Sequence, residues 1–483
     1  MTAHKTLSGK TLLLALAALL LLSRLPTAAD YPFAGTRPER LKIKPLRFDP
    51  PEPHRAVLPN GLVVYLLEDH DLPIVKVTAY VKAGSIYEPP DRLGLASLVG
   101  AVLRTGGTDS MTGDQFDEAL EKIAAVVESS IGLEYGTVAL SVLTKNLDQG
   151  LRLFADVIVR PAFREDKLEL ARQQLLESIR RRNDDPAAVA RREFARIVYG
   201  ENSPWSRIPT VQTVKAISRD DVRQFHSRFF LPNNTILAVS GDFSRDEMLR
   251  KLQDLFTGWE RRDVSLPAVA PVEERFQPGI YLIHKPVPQT VITMGHLGVR
   301  RMSPERYAIQ VMNAILGSEG FVSRMVTKVR TERGLAYTVG AAVSPGADRG
   351  LFRAVAMTAA PRAAEAIGLM RSVISDMQSA PPSEEEMKVA KDTIVNSFVF
   401  QYDSADKLVN ARAELEMLGY PPDYLKEFPE GIRRVTRDDV LAAARKFLHP
   451  DRLVILIVGD KDQLQTQLEA LGPVRTLSIE QTQ

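Results

Sequence analysis

Cysteine is absent from all 483 residues. No disulfide staples this fold, no thiolate serves as metal ligand or nucleophile, and no N-terminal cysteine takes a lipid. Histidine is scarce as well: His4, His54, His70, His226, His284, His296 and His449 are all there are, and no two lie within five residues of each other. Two imidazoles can reach one metal ion from one helix face when they stand three or four apart, and none do, so each histidine reads as an isolated surface or core residue. An excess of one charge is also missing. With 62 basic and 60 acidic side chains the net charge is +2, which leaves no broad basic field for nucleic acid. The run Arg180-Arg181-Arg182, with Arg191 and Arg192 after it, reads as a solvated helix face. No stretch of 18 apolar residues exists; the eleven-residue run Leu12 to Leu22 is too short to span a bilayer comfortably. It follows Lys5 and Lys10 and precedes the small residues Thr27 and Ala29, which predicts a secretory signal peptide over 1–29, cut near Ala29, with an uncleaved anchor as the alternative. The expected location is periplasmic or otherwise exported.

What is present is a repeat. "ISRDDVRQFHSRFFLPNNTILAVSGD", ending at Asp242, is echoed by "VTRDDVLAAARKFLHPDRLVILIVGD", ending at Asp460, at a constant offset of 218 residues. Each copy reads as an N-capping Ser218 or Thr436, an acidic first turn, a helix and a buried β-branched strand. Upstream the halves agree in kind. "AVLPNGLVVYLLED" predicts a hairpin around Asn60-Gly61 and "IVKVTAYVKAGS" a further strand, matched later by "GIYLIHK" and "TVITMGHLG". Helical patterns follow over Asp114–Glu128 and Arg164–Asn183 in the first half, and over Pro304–Leu316 and Ser383–Phe400 in the second. A proline-bearing polar stretch, Glu260 to Gly279, separates them. The expected class is α+β, two similar domains over 54–258 and 280–470, with an extended arm at 30–53, a linker at 259–279 and a tail at 471–483.

One helix is odd. "GLASLVGAVLRTGGT" buries Leu95, Leu98, Val99 and Val102 on one face, yet carries Ser97, Gly100 and Ala101 beside it, and glycine inside a helix costs about 1 kcal/mol relative to alanine. In order and spacing, this helix together with "LPNGLVVYLLED", "VKAGSIYEP", "RPAF", "RRRNDDP" and "VRTERGLAY" resembles the M16 metallopeptidases, the family of pitrilysin, insulin-degrading enzyme and the mitochondrial processing peptidase. The resemblance implies a duplicated fold closed as a clamshell around a chamber. It also implies a zinc motif, His-x-x-Glu-His, on the helix after "GS..E". Here the matching positions are Ser97, Gly100 and Ala101, so neither ligand nor base is present. Glu177 stands at or next to the place of the third ligand, and a lone carboxylate does not hold zinc.

The second half keeps what the first has lost. The motif "VRTERGLAY" places Arg330 seven residues before Tyr337, after a helix with Phe321, Met325 and Val329 on its buried side and Gly334 as C-cap. By resemblance, Arg330 holds a substrate carbonyl and Tyr337 donates to the oxyanion of the tetrahedral intermediate. The preceding loop "ILGSEGF" departs from the family's glycine-rich form at Ser318 and Glu319. The resemblance therefore implies a zinc-free subunit of a heterodimeric M16-type peptidase: no cofactor in this chain, zinc in the partner subunit, peptide as substrate, and Arg330 and Tyr337 acting on the partner's site. The alternative is a stand-alone peptide-binding or scaffold protein of the same fold.

Overall fold

The computed structural model describes residues 48–479 except Arg275 and Glu319, and of Phe321 only the backbone. The signal peptide expected over 1–29, most of the arm and the last four residues of the tail lie outside the described residues.

The first half forms a sheet from β1 (His54–Val57), β2 (Val63–Glu68), β3 (Ile74–Val81), β4 (Val126–Ile131), β5 (Gly136–Leu143) and β6 (Thr235–Gly241), in the order β1-β2-β6-β3-β5-β4. The second half forms another from β7 (Gly279–His284), β8 (Thr290–Leu297), β9 (Ala336–Ser344), β10 (Leu351–Thr358), β11 (Val454–Gly459) and β12 (Val474–Leu477), in the order β12-β7-β11-β8-β10-β9. Leaving out β1 and β12, the two orders superpose strand for strand. The sequence repeat supplies the middle of each: β6 runs parallel to β2 and antiparallel to β3, as β11 does to β7 and β8. Both repeat helices start with a reciprocal cap, Ser218 with Asp221 and Thr436 with Asp439.

Four helices position the site: α1 (Leu95–Thr105), α2 (Glu165–Arg181), α3 (Pro186–Tyr199) and α4 (Ala405–Met417). Each sheet buries one face against helices of its own half. The other face is covered by a helix from the opposite half. Val189, Ala190, Phe194 and Val198 of α3 pack on Tyr281, Ile283, Val291, Leu456 and Val458 of the second sheet. In return, Val409 and Ala413 of α4 pack on Tyr65, Tyr80, Ile236 and Ala238 of the first. This exchange explains why β6 and β11 are continuous apolar runs: both of their faces are buried. Polar contacts reinforce it. The Tyr80 hydroxyl donates to Asn410 at 3.0 Å, Tyr135 to Glu414 at 2.6 Å, and Arg55 grips Glu416 with two hydrogen bonds of 2.8 Å.

Three expectations change. The helix expected to run to Glu128 stops at Lys122, because Ala124 takes a positive φ of 51° and the β-branched pair Val126-Val127 opens β4. Three of the five arginines are solvated: Arg180, Arg181 and Arg191 are exposed, whereas Arg182 donates to the Pro209 carbonyl and Arg192 is largely covered against Asn183 and Glu193. And His296 and His449, 153 residues apart, are partners: the His449 amide donates to His296 Nε2 at 3.0 Å. Among the described residues no helix is long and apolar enough to cross a membrane.

Candidate functional site

Helix α1 is held at its start by a buried acid. The amides of Gly94 and Ala96 donate to the Glu88 carboxylate at 3.2 and 2.7 Å, and Arg207 donates to the carbonyls of Ser85, Ile86 and Glu88 on the same turn. Burial pushes the Glu88 carboxyl up to about 7, against the opposing pull of those two amides and of Arg207. The only trace of this role in the sequence is the acid of "GSIYE".

Ser97 and Ala101, four apart, share an exposed face of α1, while Gly100 is buried. The reason is β4. A Cβ built on Gly100 would lie 2.7 Å from the Ile131 backbone nitrogen, far inside van der Waals contact, and the Ser129 hydroxyl donates to the Gly100 carbonyl at 2.7 Å. The glycine is therefore more than a lost side chain, since β4 packs too closely on the helix there to leave room for a Cβ. Glu177 on α2 is exposed and paired with Arg180 at 3.4 Å. Among the described residues no group of three or more His, Asp or Glu side chains could hold a metal ion. Serine, glycine and alanine at the motif, with one solvent-paired carboxylate, do not fit zinc.

The opposite wall is built differently. Met325 and Val329 are fully buried and anchor a widened helical segment, Val326–Glu332, ended by Gly334 at φ 58°. The amides of Gly334 and Leu335 close on the carbonyls of Arg330 and Val329 at 3.0 and 2.9 Å, and the chain turns directly into β9. There Met357 pairs with Thr338 and Thr358 with Ala336, so Tyr337 is an extra residue in a β-bulge. A bulge re-aims a side chain, and Tyr337 is 76% exposed. The Arg330 guanidinium lies 4.7 Å from its ring centroid. Strand β9 is the outer strand of its sheet, and its far end is closed: the Val343 amide donates to the Asn313 side chain at 2.8 Å, the Asn313 amide donates to the Val343 carbonyl at 2.9 Å, and Gly317 lies against Ala341. Among the described residues no hydrogen bond or ion pair joins this pair to residues 97–101. The pair offers two hydrogen-bond donors, a half-buried guanidinium and an exposed phenol.

Comparison with known proteins decides the family. The description "Insulinase (Peptidase family M16)" matches residues 63–206, and "Peptidase M16 inactive domain" matches 216–394. The chain belongs to the M16 family. An uncharacterized zinc protease of Streptomyces coelicolor is 25% identical over 420 residues, which take in 84% of this chain and 90% of that one. Among solved structures, a peptidase M16 inactive domain from Pseudomonas fluorescens superposes with a TM-score of 0.75 at 24% identity, covering 84% of this chain and 98% of its own. The periplasmic protease PqqL of Escherichia coli superposes with a TM-score of 0.72 at 16% identity over 95% of this chain but only 51% of its own. Both M16 domains are present, each a mixed sheet packed with helices, and the match to the inactive-domain description is consistent with a non-catalytic M16 fold.

Proposed function

We propose that this chain is the zinc-free subunit of an exported two-chain M16 peptidase, and that it lends Arg330 and Tyr337 to the zinc site of its partner. One observation carries the reading: β4 packs tightly on the motif helix at Gly100, while Tyr337 stays exposed and paired with the half-buried Arg330 at the bulge of an outer strand. An extended peptide adds to the β9 edge at its Tyr337 end by backbone hydrogen bonds, which brings its carbonyls past both donors. The likeness to half of the PqqL chain supports a working unit of two such halves.

The test is reconstitution. Mixed with a zinc-bearing M16 subunit of the same organism, the full chain should form a 1:1 complex and raise that subunit's peptidase activity, because neither wall alone places nucleophile and oxyanion donor about 3 Å from one carbonyl. Equal activity with and without this chain refutes the reading and leaves the stand-alone peptide binder.

A further inference from the structure

Each exchanged helix leaves the outer strands of its sheet partly uncovered, so the fold contains the same corner twice. The repeat offset of 218 residues sets Ile236 of β6 on Val454 of β11. Their strand partners are Tyr80 of β3 and Gly295 of β8, and one strand further on Thr137 pairs with Tyr80 and Arg353 with Gly295. Arg353 therefore stands where the first half has Thr137. On the covering helices, Arg191 follows the buried Ala190 of α3 as Asn410 follows the buried Val409 of α4. In the first half the fold itself satisfies this corner. The Tyr80 hydroxyl donates to Asn410 at 3.0 Å, the Ser130 and Thr137 hydroxyls share a hydrogen bond of 3.1 Å, and Lys76 pairs with Asp406 at 3.1 Å.

The second half has no such pairs. A groove of about 450 Å³ opens there between α3 and strands β8, β10 and β9, lined by the exposed Arg191, the half-buried Arg353 and the hydroxyl-bearing Thr293, Ser318 and Thr338. Among the described residues neither Arg191 nor Arg353 has a hydrogen-bond or ion-pair partner, whereas Arg192 and Arg196 of the same helix both hold Glu193. The charged neighbours of Arg353 are Arg191 and the Tyr199 phenol, and the Tyr199 hydroxyl is already engaged with the Arg349 carbonyl at 2.9 Å. The acid near that phenol, Asp348, is held by Arg300 at 3.0 Å and the Val272 amide at 2.6 Å. Burial first, and Arg191 second, draw the Arg353 guanidinium below the ordinary arginine range. Two neighbouring cations, one partly out of water and neither answered by the fold, destabilise the empty groove. A doubly charged oxyanion answers both, and guanidinium forks match its oxygens. Phosphate has acceptors left over for the hydroxyls, while a carboxylate brings a single charge and two oxygens. We infer that the groove between α3 and the β8–β10–β9 face is a binding site for a phosphate dianion, free or as the end of a small phosphomonoester, held by Arg353 and Arg191. It needs no peptide on β9 and stands apart from the proposed function.

The experiment is equilibrium dialysis of the full chain against radiolabelled inorganic phosphate at about pH 8, where a phosphate group carries close to two negative charges, with ionic strength fixed by sodium chloride. About one phosphate should bind per chain, and unlabelled sulfate should displace it far better than acetate. Arg353→Met and the exposed-site variant Arg191→Ala should each weaken binding about tenfold or more, the scale of a lost hydrogen bond to a charged group. Thermal midpoints separate a ligand-holding arginine from a structural one. In phosphate-free buffer Arg353→Met should melt no lower than the parent, because a like-charge contact has gone, and added phosphate should raise the midpoint of the parent but not of the variant. Glycerol phosphate as competitor tells the two sources apart: displacement extends the site to monoesters, and its failure confines the site to the free ion. No saturable binding, binding undiminished in either variant, or acetate displacing as well as sulfate overturns the assignment. So does an Arg353→Met chain that melts several degrees below the parent without phosphate, since the fold would then already use the arginine.

Discussion

Arg330 and Tyr337 meet across a glycine turn: the guanidinium carbon of one lies 4.7 Å from the ring centroid of the other. A partly exposed contact of this kind contributes only about 0.5–2 kcal/mol, so its stability value does not explain why the bulge holds the tyrosine outward.

In the reconstituted complex, Tyr337→Phe should lower kcat roughly 10²–10³-fold with little change in KM, the scale of one lost oxyanion donor. Arg330→Ala should also raise KM, because a grip on the bound peptide backbone is lost. Neither substitution touches the core, so thermal midpoints should stay within a few degrees. Intact turnover in Tyr337→Phe reduces the chain to a scaffold.

Restoring the motif letters should not restore a metal site. Gly100→Glu forces a Cβ into the space of the Ile131 backbone, and overpacking of this kind costs about 1–3 kcal/mol. Ser97→His with Ala101→His, both at exposed positions, should fold normally. The triple variant should melt well below that double variant, and metal analysis should find no stoichiometric zinc in the native chain. About one zinc per native chain, with chelator-sensitive hydrolysis and no partner present, would falsify the pseudo-enzyme reading.

Stability should carry an unusual pH signature from Glu88. Its carboxyl is raised from the usual 4.5 to about 7 by burial, so between these values the folded chain keeps a proton that the unfolded chain has released. Its contribution is full below pH 4.5 and is lost as pH rises to about 7, a change on the order of 3 kcal/mol. His226 and His296, held down to about 4 by burial, act in the opposite sense: their contribution is full above 6.5 and is lost as pH falls. Comparing the parent with Glu88→Gln by urea unfolding from pH 5 to 8 cancels the histidines. The advantage of the parent over the variant should shrink as pH rises, and a constant difference rejects the assignment.

The exchange of helices makes the two halves one cooperative unit. Phe194 is fully buried beneath the second sheet although it belongs to the first half, and Phe194→Ala should cost about 3–5 kcal/mol. Both tryptophans, Trp205 and Trp259, lie in the first half. Their fluorescence and the far-ultraviolet circular dichroism of the whole chain should therefore move together in denaturant, in the parent and in the variant. Two separated transitions would show that the halves unfold independently.

How much of this the sequence carried depends on the range of the interaction. Local signals were legible: both reciprocal caps at Ser218 and Thr436, the turn at Gly61, and the buried strands β6 and β11 all rest on residues within a few positions of each other. The duplication was legible because it is a comparison of the chain with itself. Missing were the features made by distant segments. The pressure of Ile131 on Gly100 and the pairing of His296 with His449 each depend on an approach across tens to hundreds of residues, and the covering of Arg192 but not Arg191 depends on how the turn at Asn183 folds back on the helix. The bulge at Tyr337 depends on its register with β10, which no window around the motif contains. For the site this means that identities came from sequence, while the outward aim of Tyr337 and the closure over Gly100 came only from packing.

The reciprocal cover of the two sheets also sets a timetable for synthesis. When Gly241 has completed β6, the first sheet is paired, yet Tyr65, Tyr80, Ile236 and Ala238 still wait for Val409 and Ala413. At ~5–20 residues per second, the ribosome needs roughly 10–35 s more to reach Met417. For that interval the nascent chain displays a bare aromatic and aliphatic sheet face, a natural seat for a holdase chaperone. Ribosomes stalled before Ala405 should carry such a chaperone, and ribosomes stalled far enough past Met417 for α4 to emerge should release it.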